Sequence, residues 1–128
     1  MSNRQLKFRA WDTLAKKFTY PDKGYQGHYV LTLNGRFQNL QNGSGGDEYV
    51  VQQWTGLYDK NKKSIYEGDI ISYLQHLFNA SPDKYPVKTK EVKWKNMKGC
   101  WNVYESQAGE DNLEVIGNIF ENSELLKQ

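Results

Sequence analysis

A single cysteine, Cys100, stands in 128 residues. No intrachain disulfide can form and no set of thiolates exists for a zinc site, so packing has to hold the fold, and a reducing compartment suits it. Histidine is almost as scarce. His28 and His76 lie far apart in the chain, and neither has a neighbouring nucleophile or ligand motif, so both read as surface or core-edge residues. Long hydrophobic runs are missing as well. Apolar residues make up only 38% of the chain and no run approaches membrane-spanning length, while Met1 to Lys7 carries charge without a following apolar core of signal-peptide length. The expectation is a soluble, cytoplasmic protein with no membrane partner. An excess of one charge is also lacking. With 17 basic and 15 acidic residues the net charge is +2, too balanced for a protein dedicated to packing nucleic acid.

What the chain does have is aromatic side chains, at 14%. At this length we expect one domain over residues 1–128, burying about two-thirds of the surface that the unfolded chain exposes. Its core would be rings and β-branched residues. Short alternating runs between turn residues argue for strands. Leu6, Phe8 and Ala10 alternate with Lys7, Arg9 and Trp11, and Asp12 to Lys17 turn the chain into Phe18-Thr19-Tyr20 as a first hairpin. His28 to Leu33 and Arg36 to Leu40 flank Asn34-Gly35, which predicts a second hairpin closed by a type I′ turn. Gln41 to Asp47 reads as a glycine-rich connection. Its glycines lack the fixed offsets and the Lys-Ser/Thr pair of a phosphate-binding loop. Glu48 to Trp54 then suits a strand.

The densest turn chemistry runs from Thr55 to Ile71. Asp59 to Lys63 is a polar turn, Ile65-Tyr66 restarts extended structure, and Glu67-Gly68-Asp69 offers a tight corner into Ile70-Ile71-Ser72-Tyr73-Leu74. Gly68 can take backbone angles closed to other residues, and the Asp69 carboxylate can accept the amides freed at the corner. The competing reading makes Asp59, Glu67 and Asp69 an acidic site for a metal or for acid–base chemistry. No His or further acid has a spacing that fixes their convergence, so structural turns are the preferred assignment, with no catalytic residue, metal or cofactor.

Asn79 to Pro86, with two prolines, reads as a loop. Glu91 to Lys95 and Cys100 to Glu105 alternate on either side of an Asn96 to Gly99 turn, which predicts a hairpin that buries Val92, Trp94, Trp101 and Val103. Its opposite face would present Lys93, Lys95 and Tyr104, with Lys88, Lys90 and Lys98 nearby. A basic strip of Lys90, Lys93, Lys95 and Lys98 beside Tyr104 could hold a nucleic-acid backbone. Glu91 and Glu105 interrupt it, and a lysine-rich edge also guards against strand-to-strand aggregation, so the solvated face is the favoured reading. Near the end, a strand through Val115 and Ile116 should precede a short helix, with Asn122 as its N-cap and Leu125-Leu126 docked on the sheet. The whole is a mainly β fold, a small barrel or sandwich of antiparallel hairpins with a short C-terminal helix.

Three blocks carry a family resemblance. Phe8-Arg9-Ala10-Trp11-Asp12, then Gln53 to Leu57 through Ile65 to Ile70, then Val115-Ile116-Gly117-Asn118-Ile119-Phe120-Glu121-Asn122 resemble, in order, the YopX family of phage and prophage proteins of Gram-positive bacteria. Lys63 stands where a turn glycine is common, and Ser123 where proline often opens the helix. The resemblance implies a mainly β fold and a phage-related role in the cytoplasm of an infected or lysogenic bacterial host. It brings no catalytic residues. Two functional classes follow. The first, favoured by the absence of a catalytic constellation, is a non-enzymatic accessory or interaction module, whose partner is a host or phage protein, a nucleic acid or a second copy of the chain. The second is a small metal-dependent enzyme using the three acids.

Overall fold

A computed structural model describes residues 5–20, 29–39, 48–104 and 112–127. The predicted Gln41 to Asp47 connection and His28 lie outside the described residues. The fold is mainly β. Its strands are β1 (Phe8–Asp12), β2 (Lys17–Thr19), β3 (Tyr29–Leu31), β4 (Phe37–Asn39), β5 (Tyr49–Tyr58), β6 (Ser64–Tyr66), β7 (Asp69–Leu74), β8 (Val87–Glu91), β9 (Trp94–Lys95), β10 (Cys100–Trp101) and β11 (Glu114–Asn118). Contacts divide the chain into two compact units, Met1–Trp54 and Thr55–Gln128.

In the first unit β1 pairs antiparallel with β2 on one side and with the first half of β5 on the other. The predicted first hairpin is present. Asp12 shapes its turn by accepting the N–H groups of Leu14 and Ala15 on Oδ1, each at 2.9 Å. Arg9, Ala10 and Trp11 are all buried, so both faces of β1 are covered there and the simple inside–outside alternation of its sequence is lost. Arg9 donates to Gln52 Oε1 at 2.9 Å and lies over the Phe18 ring at 4.1 Å, so its charge is kept among a polar partner and an aromatic face. Trp11 meets Phe18 edge-on at 4.8 Å.

β3 and β4 form the second predicted hairpin, with a different turn. Gly35 N–H donates to Thr32 O at 2.9 Å and Thr32 N–H to Arg36 O at 2.8 Å, so Leu33-Asn34-Gly35 is a three-residue loop. Gly35 alone of the three has positive φ, at 85°. A type I′ turn needs positive φ at both central residues. Here the side-chain and backbone oxygens of Thr32 accept from Arg36 and Gly35 and hold the longer loop.

The second unit contains the aliphatic core. Ile65, Ile71, Val92, Val103 and Leu113 are fully buried, with Leu57, Tyr73, Trp101 and Val115 packed against them. The strand order β11-β7-β8 places β7 centrally, and the second half of β5 pairs with β6. The Asp59–Lys63 turn that joins β5 to β6 puts a lysine in the left-handed region, and it is Lys62 (φ 65°), not Lys63. A non-glycine residue there costs on the order of 1 kcal/mol. Lys62→Gly should therefore stabilise the protein slightly, by about 0.5 kcal/mol after the added freedom of the unfolded chain is subtracted, while Lys62→Val should destabilise it. Urea denaturation that ranks Val above Gly would contradict this account of the turn.

Two further expectations are corrected. The hairpin predicted from Glu91 to Glu105 is shortened: Val92 N–H adds a last rung to the β7–β8 pairing by donating to Asp69 O at 2.8 Å, and β9 begins only at Trp94. That interruption resets the alternation. Val92 and Val103 are buried as predicted, Trp101 is half-buried, and Trp94 is 43% exposed. After Trp101 the chain turns into a 3-10 helix, Asn102–Tyr104, in place of more strand. The terminal helix is one 3-10 turn, Ser123–Leu126. Leu125 N–H bonds Asn122 O, three residues back, and no Asn122 side-chain cap forms, because its Oδ1 accepts the Asn118 N–H at 3.2 Å. The turn still docks on the sheet, with Thr89 Oγ1 donating to Leu125 O at 3.3 Å. The loop with Pro82 and Pro86 is present and holds a short 3-10 turn, Pro82–Lys84.

Candidate functional site

The acidic candidates come first, because their surroundings decide what they can do. Asp59 is buried. Its Oδ1 accepts the N–H groups of Asn61 at 2.8 Å and Lys63 at 2.9 Å, and its Oδ2 accepts the N–H of Val115 at 3.0 Å. One carboxylate thus closes the β5–β6 turn and ties it to the start of β11. Asp69 is buried too, and its Oδ2 accepts the Tyr66 N–H at 2.8 Å across the corner. Gly68, with φ 83°, donates to Val92 O at 3.0 Å and accepts from Ile119 N–H at 2.9 Å. Glu67 is half-buried in that corner. Among the described residues no three His, Cys, Asp or Glu side chains are grouped to hold a metal ion. Asp59 and Asp69 work as acceptors for the backbone.

The basic candidates separate by role. Lys90 turns inward: its Nζ donates to Asn102 O at 2.7 Å and lies over the Tyr73 ring at 4.4 Å. It serves the packing between β8 and the Asn102–Tyr104 turn. Lys93 is exposed and pairs with Glu91 at 3.8 Å, a contact worth little in water. Lys95 is half-buried and Lys98 exposed in the β9–β10 turn. The Tyr104 side chain lies outside the described residues. β8 is the edge of its sheet, and a two-fold pairing centred on Thr89 would set Lys88 against Lys90, so like charges protect that edge.

Asn102 is the residue that sequence reasoning missed. Buried, it donates its N–H to Lys93 O at 3.0 Å and its Nδ2 to Glu91 O at 2.8 Å, and accepts from Lys93 N–H on Oδ1 at 2.9 Å. These bonds tie the end of β8 and Lys93 to the Asn102–Tyr104 turn, past the last β7–β8 bond at Val92. Asn102 between Trp101 and Val103 fits plain strand alternation, so the local sequence carries no signal of this role.

The β9–β10 hairpin packs on the core through Trp101 and leaves a surface at its other residues. Trp94 and Trp101 face each other across the strands with rings 5.1 Å apart, edge to face. Trp101 supports the ring of Trp94 from beneath, and Met97 at the turn is 99% exposed. The β7–β8 connection exposes Phe78 at 87%, and Val87 at its base is 66% exposed. Exposed His76 stacks on Tyr85 at 5.2 Å.

Comparison with known proteins agrees with the resemblance in the three blocks. The crystal structure of protein EF1440 from Enterococcus faecalis is similar, with a TM-score of 0.57 and 29% identity, over 97% of this chain and 99% of that one. No curated protein matches. The family model described as YopX protein matches residues 7–127, nearly the whole chain, and the protein belongs to the YopX family.

Proposed function

We propose that this protein is a non-enzymatic interaction module, encoded by a phage or prophage and acting in the cytoplasm of its bacterial host. The observation that carries the reading is the β9–β10 hairpin, whose Trp94 and Met97 side chains are exposed although the core beside them is closed by Val92 and Val103. Large apolar side chains held out by a hairpin are characteristic of binding surfaces. The polar side chains best suited to chemistry, Asp59 and Asp69, support the same reading because backbone amides take up their oxygens. The family resemblance supports the phage setting.

The test is a comparative capture from host lysate with wild-type protein and the Trp94→Ser/Met97→Ser variant. Both positions are exposed, so the variant should melt within a few degrees of wild type. A partner retained by wild type and lost from the variant is the expected result. Identical recovery by both proteins would remove the hairpin from the function.

A further inference from the structure

We infer that the occupant of the β9–β10 hairpin is single-stranded nucleic acid, with a base stacked on Trp94. The inference rests on the interaction-module reading and names its partner. The ring is fixed by the edge-on contact with Trp101 at 5.1 Å and by the cross-strand register of the two tryptophans, so it loses little freedom when a base covers it. Stacking on an exposed aromatic ring is how sequence-tolerant binders hold single strands, because each base has a π-face.

Charge on the surrounding segment fits the same ligand. Lys84, Lys88, Lys93 and Lys98 are exposed between Asp83 and Gly99, against Asp83 and Glu91. Thr55–Gln128 as a whole holds 10 basic and 11 acidic residues, so the attraction is confined to this segment. Alternation puts Lys93 and Lys95 on the hairpin face opposite Trp94, while Lys98 stands in the turn. A strand stacked on the ring would meet Lys98 at the hairpin's tip, and Lys93 only where its backbone passes round the hairpin's edge. A peptide partner would fit the apolar ring and Met97 but would leave the lysines unexplained unless it were acidic.

Anisotropy of labelled single-stranded DNA and RNA of about 12 nucleotides, titrated with the full chain, tests this. Both strands should bind at low salt, with log affinity falling against log salt at a slope of about −1 to −2, as for two or three contacted phosphates. Trp94→Ser should lower affinity roughly tenfold and Trp94→Phe should restore most of it. Lys93→Gln/Lys98→Gln should flatten the slope. DNA and RNA arms that differ would identify which strand is the ligand. Heparin, an anionic polymer without bases, should bind more weakly and be indifferent to Trp94→Ser. Absence of oligonucleotide binding at low salt, or binding that Trp94→Ser leaves unchanged, overturns the inference. If either occurs while the lysate capture still depends on Trp94 and Met97, the nucleic acid is wrong and the interaction module stands.

Discussion

Gly117→Ala is expected to destabilise the protein by about 3 kcal/mol, a fall in melting temperature of about 10 °C for a chain of this size. Gly117 lies in β11, one residue beyond the irregularity in its pairing with β7. A Cβ built there would stand 2.6 Å from Asn122 Oδ1, 2.7 Å from its Cβ and 2.8 Å from its Cγ. The first of these atoms ends a short side chain, but the second is attached to the backbone and cannot rotate away. Nor can Asn122 retreat cheaply. Its N–H donates to Asn118 O, its Oδ1 accepts from Asn118 N–H, and its carbonyl accepts from Leu125 N–H. Asn118 in turn accepts the N–H groups of Phe120 and Glu121 on its Oδ1. A methyl group at position 117 therefore pushes on the whole turn. A double-mutant cycle with Asn122→Gly isolates the cause, since that change removes all three crowded atoms. Asn122→Gly alone should cost about 1 kcal/mol for the lost bond to Asn118, and the pair should be no worse than Gly117→Ala alone. Additive losses in chemical denaturation would mean that the crowding is not the reason for the glycine.

That tight turn was legible in the sequence only as part of a family block. Sequence spacing predicts what each residue can do with its near neighbours, and those expectations hold where the partner is near: Asp12 bonds two and three residues on, and Asp69 bonds Tyr66 three residues back. Expectations that depend on alternation hold until a non-local bond interrupts the strand. Alternation across a hairpin puts Val92, Trp94, Trp101 and Val103 on one face and so predicts Trp94 inside. Val92 makes the last bond of the β7–β8 pairing, to Asp69 O, β9 begins only at Trp94, and nothing in the local sequence marks that boundary. Lys90, expected near the lysine face, has a partner that spacing does not show: Asn102, twelve residues later, brings a carbonyl to its ammonium. The exposed tryptophan that carries the functional reading lies just past this boundary, which Gly68, Asp69 and Asn102 hold through their bonds to Val92, Glu91 and Lys93.

Asp59→Ala should be the most damaging change among the acids, with a loss of about 4 kcal/mol, or roughly 15 °C in melting temperature. Hydrogen bonds to an ionised acceptor each contribute about 1.5–3 kcal/mol, and three amides meet this carboxylate, though their sum is not additive. Two of them, from Asn61 and Lys63, close a turn that also holds Lys62 in the left-handed region. The third is from Val115, fifty-six residues away, and beside it Lys60 N–H donates to Leu113 O at 2.8 Å. Removing the carboxylate leaves the Val115 amide without this acceptor at the point where β11 enters the core. Asp59→Asn separates charge from shape. Its amide keeps one acceptor oxygen but must turn an NH2 group toward an N–H on the other side, so about half the loss should remain. The rival assignment, in which Asp59, Glu67 and Asp69 bind a divalent cation, predicts a different pattern. Millimolar Mg2+, Mn2+ or Ca2+ would then raise the melting temperature of the wild type, and Asp59→Asn would abolish that rise. With the carboxylate spent on three amides, the melting temperature of wild type should be indifferent to all three ions. A cation-dependent shift that disappears in Asp59→Asn would return the acids to the list of functional residues and remove the structural account of Asp59 given by its three bonds.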